Sequence, residues 1–438
     1  MRGRVLALVD GEHYPPVVRD ALAEAGGVVV AALLVGGGEK LDGDPDYGVP
    51  VVRAGGDPAT AMLDAARLHD AEAVLDLSDE PVIGEAVRLH LAAHALAAGL
   101  GYAGPGFRFE PPPRPPTGVP TVEVVGTGKR VGKTAVSAHL ARLIEAAGRR
   151  VVVVAMGRGG PAHPQLVPAG AGLTVSDLLA RARAGEHAAS DFLEDAALAG
   201  VTTVGARRCG GGLAGQPFSS NVAAAVALAV EQRPEVLIME GSGACLPPVA
   251  ADRRLLVCPV TKPASELLGG LGPFRVLGAD MAVITGAGGR PAGDPQVEAV
   301  RAALQAIRPG IDPVAVDLIP EPVSSVAGRR VVYFTTAPHD VAERLAGELE
   351  RRHGAEVIRT VAALADRARL RFELEDPAVA VADAYVVEIK AAAIDVVADA
   401  GEQRGIEVVF CDNRPRSLPG EDDLDARLLA LAPEPSRA

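Results

Sequence analysis

Between Val122 and Ala141 the chain reads VEVVGTGKRVGKTAVSAHLA: an apolar run, a glycine-punctuated turn, then apolar residues at helical spacing. A strand that enters a turn closed by Gly132-Lys133-Thr134 and leaves as a helix has few folds open to it. Consecutive backbone N–H groups and the helix N-terminus converge on one point and cradle an anion there. The pattern G-x-x-x-x-G-K-[ST] puts glycine at position 127, whereas Thr127 stands here between Gly126 and Gly128, and Lys129 and Arg130 add two cations to the loop. The flanking strand and helix are the context that a phosphate-binding loop requires. An unliganded glycine-rich turn is the weaker reading.

The rest of the chain fits an α/β frame around that loop. At 438 residues it exceeds one ordinary domain. Apolar runs at 4–11, 27–37 and 71–79 alternate with amphipathic stretches, which predicts βαβ units and a parallel sheet in a Rossmann-like N-terminal domain over 1–110. The segment FEPPPRPPTGVP then forbids helix and central strand, so residues 111–120 read as a proline-rich linker. Further buried strands at 150–157, 201–206, 235–241, 254–260, 280–285 and 313–319 predict a central nucleotide-binding domain over 121–325 with a mostly parallel sheet. A smaller α/β domain follows over 326–438.

Composition narrows the function. Net charge is −13, which argues against a nucleic-acid surface or an anionic-membrane binder. No run reaches the roughly 18 apolar residues of a bilayer span, and charged residues follow the N-terminus within a dozen positions, so a cytoplasmic protein is expected. Cys209, Cys245, Cys258 and Cys411 form no C-x-x-C pair and read as reduced thiols. Arginine outnumbers lysine 38 to 5. Against that background Lys129, Lys133, Lys262 and Lys390 stand out as functional ammonium groups, Lys40 much less so.

A second strand end completes the nucleotide site. EVLIMEGSG carries Glu240 at the end of an apolar run, followed by residues small enough for close approach. Thr134 and Glu240 are therefore the expected Mg2+ ligands, and Lys133 the bridge between β- and γ-phosphates. A guanine-specific [NT]-K-x-D motif is missing, since TKPA at 261–264 lacks the acid, so ATP is the expected nucleotide. Residues Gly126, Thr127, Gly128, Lys129, Arg130, Val131, Gly132, Lys133 and Thr134 are its expected contacts. Three more segments follow strands due to end on the same edge: AMGRGGPAHPQ with Arg158 and His163, GARRCGGGLAG with Arg207 and Arg208, and CPVTKPASE with Lys262. So many cations beside flexible glycines imply a second, strongly anionic substrate. Lys390, where strand passes to helix, is expected to contact phosphate as well. Asp10, Glu12 and His13 form either a substrate loop or an ordinary turn.

G-T-x-x-x-V-G-K-T with a downstream E-G-x-G resembles the dethiobiotin synthetase branch of P-loop proteins, in which that Glu binds Mg2+. Over nearly the whole chain, LVDGEHYPPVVRDAL, GTGKRVGKT, MGRGGP, GARRCGGG and VEIKAAAIDVV resemble the cyclic 2,3-diphosphoglycerate synthetase family. That resemblance implies a cytoplasmic, homodimeric, ATP-dependent ligase that closes a small-molecule substrate, 2,3-diphosphoglycerate, into an intramolecular phosphoanhydride. The alternatives are a dethiobiotin-type ligase or kinase acting on another anion, and a nucleotide-switched partner-binding ATPase.

Overall fold

In the computed structural model, which describes residues 3–41 and 43–434, the apolar runs become strands and the amphipathic stretches become covering helices. The chain divides into two compact units. The first is built on β1 (Arg4–Val9), β2 (Val28–Leu34), β3 (Val51–Arg53), β4 (Ala73–Asp76), β5 (Gly101–Gly104) and β6 (Phe107–Phe109). Helices α1 (Pro15–Glu24), α2 (Pro58–Leu68) and α3 (Glu85–Ala97) connect them. The sheet order is β3-β2-β1-β4-β5-β6, parallel except for the final β5–β6 pair. Strand order reverses at β1, the doubly wound arrangement that leaves a crevice at the carboxyl ends of β1 and β4. Two short helical segments, Ser265–Leu268 and Gly272–Leu277, group with this unit, the second packing on α3.

The second unit carries β7 (Thr121–Gly126), α4 (Lys133–Ala146), β8 (Val151–Gly157), β9 (Gln165–Val167), α5 (Val175–Arg183), α6 (Asp191–Leu198), β10 (Thr202–Cys209), β11 (Ser219–Ser220), α7 (Val222–Val230), β12 (Val236–Glu240) and β13 (Arg253–Pro259). It continues through β14 (Met281–Thr285), β15 (Pro313–Pro322), β16 (Arg330–Phe334), β17 (Glu356–Val361), β18 (Ala384–Val387) and β19 (Glu407–Ser417). The run β10-β8-β12-β7-β13-β14-β15 is parallel throughout. Its strands are buried on both faces, and alternation sorts their side chains. Val122, Val124, Val153 and Ile238 meet Val136, Leu140 and Ile144 of α4 on one side. Val152, Val154, Leu237 and Met239 meet Val222 and Ala225 of α7 on the other. Each such buried aliphatic contributes roughly 1.5–3 kcal/mol over leaving it exposed. Because the strands are parallel, Gly126, Gly157, Cys209, Glu240 and Pro259 all end on one edge.

The expected boundary at 325/326 falls in the turn between β15 and β16, and strands from both sides of it join one sheet. β15 is ten residues long, and its second half pairs antiparallel with β19, from Val316↔Ser417 to Pro322↔Cys411. Beyond β19 the order is β18-β16-β17, parallel again. Residues 110–120 hold no helix or strand. Arg114, within that stretch, reaches buried Glu123 on β7, which Arg254 of β13 grips from its other oxygen. The short strands β3, β5, β6, β9 and β11 have no counterpart in the sequence reading, being too brief for a periodic pattern to register.

Candidate active site

The departure at Thr127 has a local explanation. Thr127 N donates to Val257 O at 3.1 Å, so strand pairing persists one residue past Gly126 before the chain turns. Gly126 has taken over the close approach: a methyl group there would fall 2.7 Å from Val131 Cγ2 and 2.9 Å from Lys133 Cδ. Arg130 and Gly132 then take left-handed φ values of +60° and +89°. Val131 O is pinned by Thr285 Oγ1 at 2.7 Å. α4 begins at Lys133, and Lys133 and Thr134 are buried in its first turn. Lys133 Nζ reaches back to Gly128 O at 3.5 Å, and burial pulls its ammonium below the ordinary lysine range despite the nearby carboxylates of Glu240 and Asp191. A buried ammonium without a full set of acceptors is what a phosphate would satisfy.

Across from it, Glu240 is 1% exposed at the end of β12 and accepts from Thr134 Oγ1 at 2.7 Å through Oε1. Its Oε2 is buried without a donor. Burial and the neighbouring Asp191 push the Glu240 carboxyl up, against the pull of Lys133.

The cations gather from separate loops. A methyl on Gly243, whose φ is +61°, would come within 3.0 Å of Arg158 Nη2 and 3.5 Å of Arg208 Nη2. Glycine at this position therefore lets two guanidiniums close over the Glu-Gly-Ser-Gly turn. Lys262 Nζ stands 3.3 Å from the equivalent point on Gly128, directly against the phosphate loop. Lys390 and Arg158 both act electrostatically on Lys133. Lys390 pairs with Glu194 of α6; burial lowers its affinity for the proton, but Glu194 and Asp191 outweigh that and raise it overall. Ala391 beside it holds a left-handed φ of +47°. An open cavity of about 580 Å³ adjoins this turn and includes His187, Asp366 and Arg367 in its lining.

Other expected residues are placed differently. Arg208 was expected to face the cleft as a loose cation; it is 8% exposed, and its guanidinium donates to Gly210 O (2.8 Å) and Ser242 O (2.7 Å). Neutral carbonyls leave its charge undiminished while fixing its direction. Lys129, Arg130 and His163 are exposed on loops, and Arg207 is exposed near the end of β10. Asn221 ties the His163 loop through Pro161 O and Ala162 O. Asp10, Glu12 and His13 belong to the first unit, where buried Asp10 accepts from Glu12 N, His13 Nδ1 and Asp79 N, and Lys40 pairs with Glu12. That is turn chemistry with its hydrogen bonds satisfied internally.

Helix α6 supplies what sequence reasoning missed. Asp191, Glu194 and Asp195 fall at i, i+3 and i+4, one face of the helix, while Phe192, Leu193 and Ala196 enter the core. The signal is SDFLEDAAL itself, three acids on a segment too apolar to be a solvated helix.

A parallel sheet with a strand–GKT–helix turn at its carboxyl edge, a facing strand-end glutamate and converging cations defines a P-loop nucleotide-binding α/β enzyme. Three family models match: the N-terminal domain of cyclic 2,3-diphosphoglycerate synthetase at residues 4–110, its P-loop domain at 121–316 and its C-terminal domain at 322–414. The cyclic 2,3-diphosphoglycerate synthetase of Rubrobacter xylanophilus is 46% identical, covering 98% of this chain and 97% of its own. Those of Methanothermus fervidus and Methanothermobacter thermautotrophicus are 38% and 35% identical, covering 94% and 98% of this chain and 93% and 95% of their own. The chain belongs to the cyclic 2,3-diphosphoglycerate synthetase family. No helix among the described residues is long and apolar enough to cross a membrane.

Proposed function

We propose that this protein catalyses the ATP-dependent closure of 2,3-diphosphoglycerate to its cyclic phosphoanhydride, releasing ADP and phosphate. The observation that carries this reading is the gathering of Lys133, Arg158, Arg208, Lys262 and Lys390 about one phosphate loop in a chain of net charge −13. Two phosphates and a carboxylate must approach ATP and then each other, and the barrier is mainly their repulsion. Fixed cations offset it, and positioning supplies the remaining rate. The nucleophile, a phosphate oxygen, is already ionised and needs no activating base.

In the sequence we favour, one substrate phosphate attacks the γ-phosphorus and the bond to the ADP oxygen breaks. The neighbouring phosphate then attacks the phosphorus bound to the carbon oxygen, and inorganic phosphate leaves. Lys133 bridges the ATP phosphates, with Lys129 and Arg130 at their rim. Arg158, Arg208, Lys262 and Lys390 hold the substrate, and Arg207 and His163 stand outside them.

Mg2+ fits the residues present. Glu240 Oε2 is a buried oxygen without a donor beside the Thr134 hydroxyl, a hard-oxygen set suited to that ion. Among the described residues no three His, Cys, Asp or Glu side chains converge as a cage. Thr134 and Glu240 would hold it, and it supplies neutralisation of the β- and γ-phosphate charge. The same reading makes the enzyme a cytoplasmic homodimer without a nucleic-acid partner.

Phosphorus NMR of the protein with Mg-ATP and 2,3-diphosphoglycerate tests the proposal. A cyclic pyrophosphate resonance growing in step with ADP is expected. ATP hydrolysis without that resonance would overturn it.

A further inference from the structure

We infer that Asp195 is the second carboxylate of the divalent-cation site, acting with Glu240 beside Thr134. The inference rests on the nucleotide-site reading above but not on the identity of the anionic substrate.

Asp195 is 0% exposed, and no donor reaches either of its carboxylate oxygens. Its neighbour is Glu240, whose Oε2 likewise has no donor from another residue; the two carboxyls lie within hydrogen-bond reach of each other, an arrangement that needs either a shared proton or a cation between them. Three carboxylate oxygens are thus left, among the described residues, without a hydrogen-bond donor from outside the pair. A buried carboxylate left this way costs several kcal/mol unless something positive meets it. Two of the cations nearby are committed elsewhere, and Lys133, although it attracts Glu240, donates to neither carboxylate. Lys390 pairs with Glu194, the preceding residue of α6, and Lys133 turns back to Gly128. Arg208 is held by Gly210 and Ser242.

The fold makes the juxtaposition deliberate. α6 packs against α4, β8 and β10, and its apolar residues Phe192, Leu193 and Ala196 fix its rotation. With those three inside, Asp195 is aimed at the end of β12. Asp195 lies outside the apolar cluster that takes Phe192, Leu193 and Ala196 and faces Glu240 instead, so apolar packing does not account for the acid. A divalent ion on the Thr134 side of Glu240 does. Two carboxylates, a hydroxyl and phosphate oxygens are the ligand types Mg2+ selects.

Direct Mn2+ binding, read by electron paramagnetic resonance in the presence of ADP, tests the inference without any turnover. Asp195→Asn should weaken Mn2+ affinity about tenfold or more, the loss typical of a carboxylate that ligates or orients a metal. Thermal unfolding in EDTA supplies the folding control. There Asp195→Asn should melt no lower than the unaltered protein, because an amide can donate to Glu240 where two facing carboxyls would otherwise have to share a proton, while Mg2+ with ADP should stabilise it less. Asp195→Ala should reproduce the loss of Mn2+ affinity. If both variants keep Mn2+ affinity within twofold while Glu240→Gln loses it, the inference is wrong and the nucleotide-site reading stands. If Glu240→Gln also leaves affinity unchanged, both the inference and the metal assignment fall.

Discussion

Thr134 Oγ1 donates to Glu240 Oε1 across 2.7 Å, joining the first turn of α4 to the end of β12 from positions 106 residues apart. One bond thus sets the distance between the phosphate loop and the acid that faces it. Thr134→Val keeps the side-chain shape and removes the hydroxyl. The Mg2+ concentration needed for half-maximal turnover should rise roughly 10- to 100-fold, while far-UV circular dichroism stays unchanged. A steady-state Mg2+ titration decides the point; an unaltered Mg2+ requirement would exclude Thr134 from the metal site.

Arg158 and Arg208 meet over Gly243 but are held differently, and their variants should separate. Arg158 is exposed at the end of β8, so Arg158→Ala should raise KM for the diphosphorylated substrate about tenfold with little change in kcat. Arg208 fixes the carbonyls of Gly210 and Ser242, so Arg208→Ala should lower kcat as the Glu-Gly-Ser-Gly turn loosens. Lysine cannot reproduce the planar fork, and Arg208→Lys should not rescue it. Equal effects of the two alanine variants on KM alone would contradict this division.

Lys390 and Glu194 form a largely buried pair. Lys390→Met leaves the Glu194 carboxylate uncompensated and should cost about 3–5 kcal/mol in urea unfolding. The double variant Lys390→Met/Glu194→Gln should recover most of that stability and none of the cyclisation. Recovery of activity together with stability would reduce Lys390 to a purely structural role.

The thiols make a prediction about alkaline pH. Burial pushes the Cys258 thiol up to about 12 in the folded protein, whereas an unfolded cysteine titrates near 8.5. The folded state therefore holds a proton that the unfolded state releases. The associated stability is complete below about pH 8.5 and is lost as pH rises toward the folded value. Cys258→Ala should show a shallower fall in unfolding free energy between about pH 9 and 11. Of the four cysteines only Cys209 is exposed. Ellman's reagent should accordingly release one equivalent from the native protein and four in denaturant.

The nucleotide loop, Glu240 and the succession of parallel strands are legible in the sequence because each is local: a glycine spacing, a lysine in a chain short of lysine, a run of valines. Lys390 is legible by its rarity, although nothing in YVVEIK announces Glu194 as its partner. Arg208 shows the limit of counting cations, since residue type does not say which acceptors its fork will find. Asp195 lies further out of reach. Its meaning depends on Glu240, 45 positions later and three strands away in the order of the chain, and on the helix rotation set by Phe192 and Leu193. The same holds for β15 and β19, whose pairing joins segments separated by the whole of the last module.

That pairing has a mechanical side. Val316 to Pro322 and Cys411 to Ser417 stitch the nucleotide-binding strands to the module that carries Lys390. A chain cut after residue 325 would leave half of β15 as a bare edge, an open template for intermolecular strand addition. The last module is therefore a protective cap as well as the bearer of a charged group. The phosphate loop and Lys390 thus follow strands of one continuous sheet, and the β15–β19 pairing is the seam that keeps them in it.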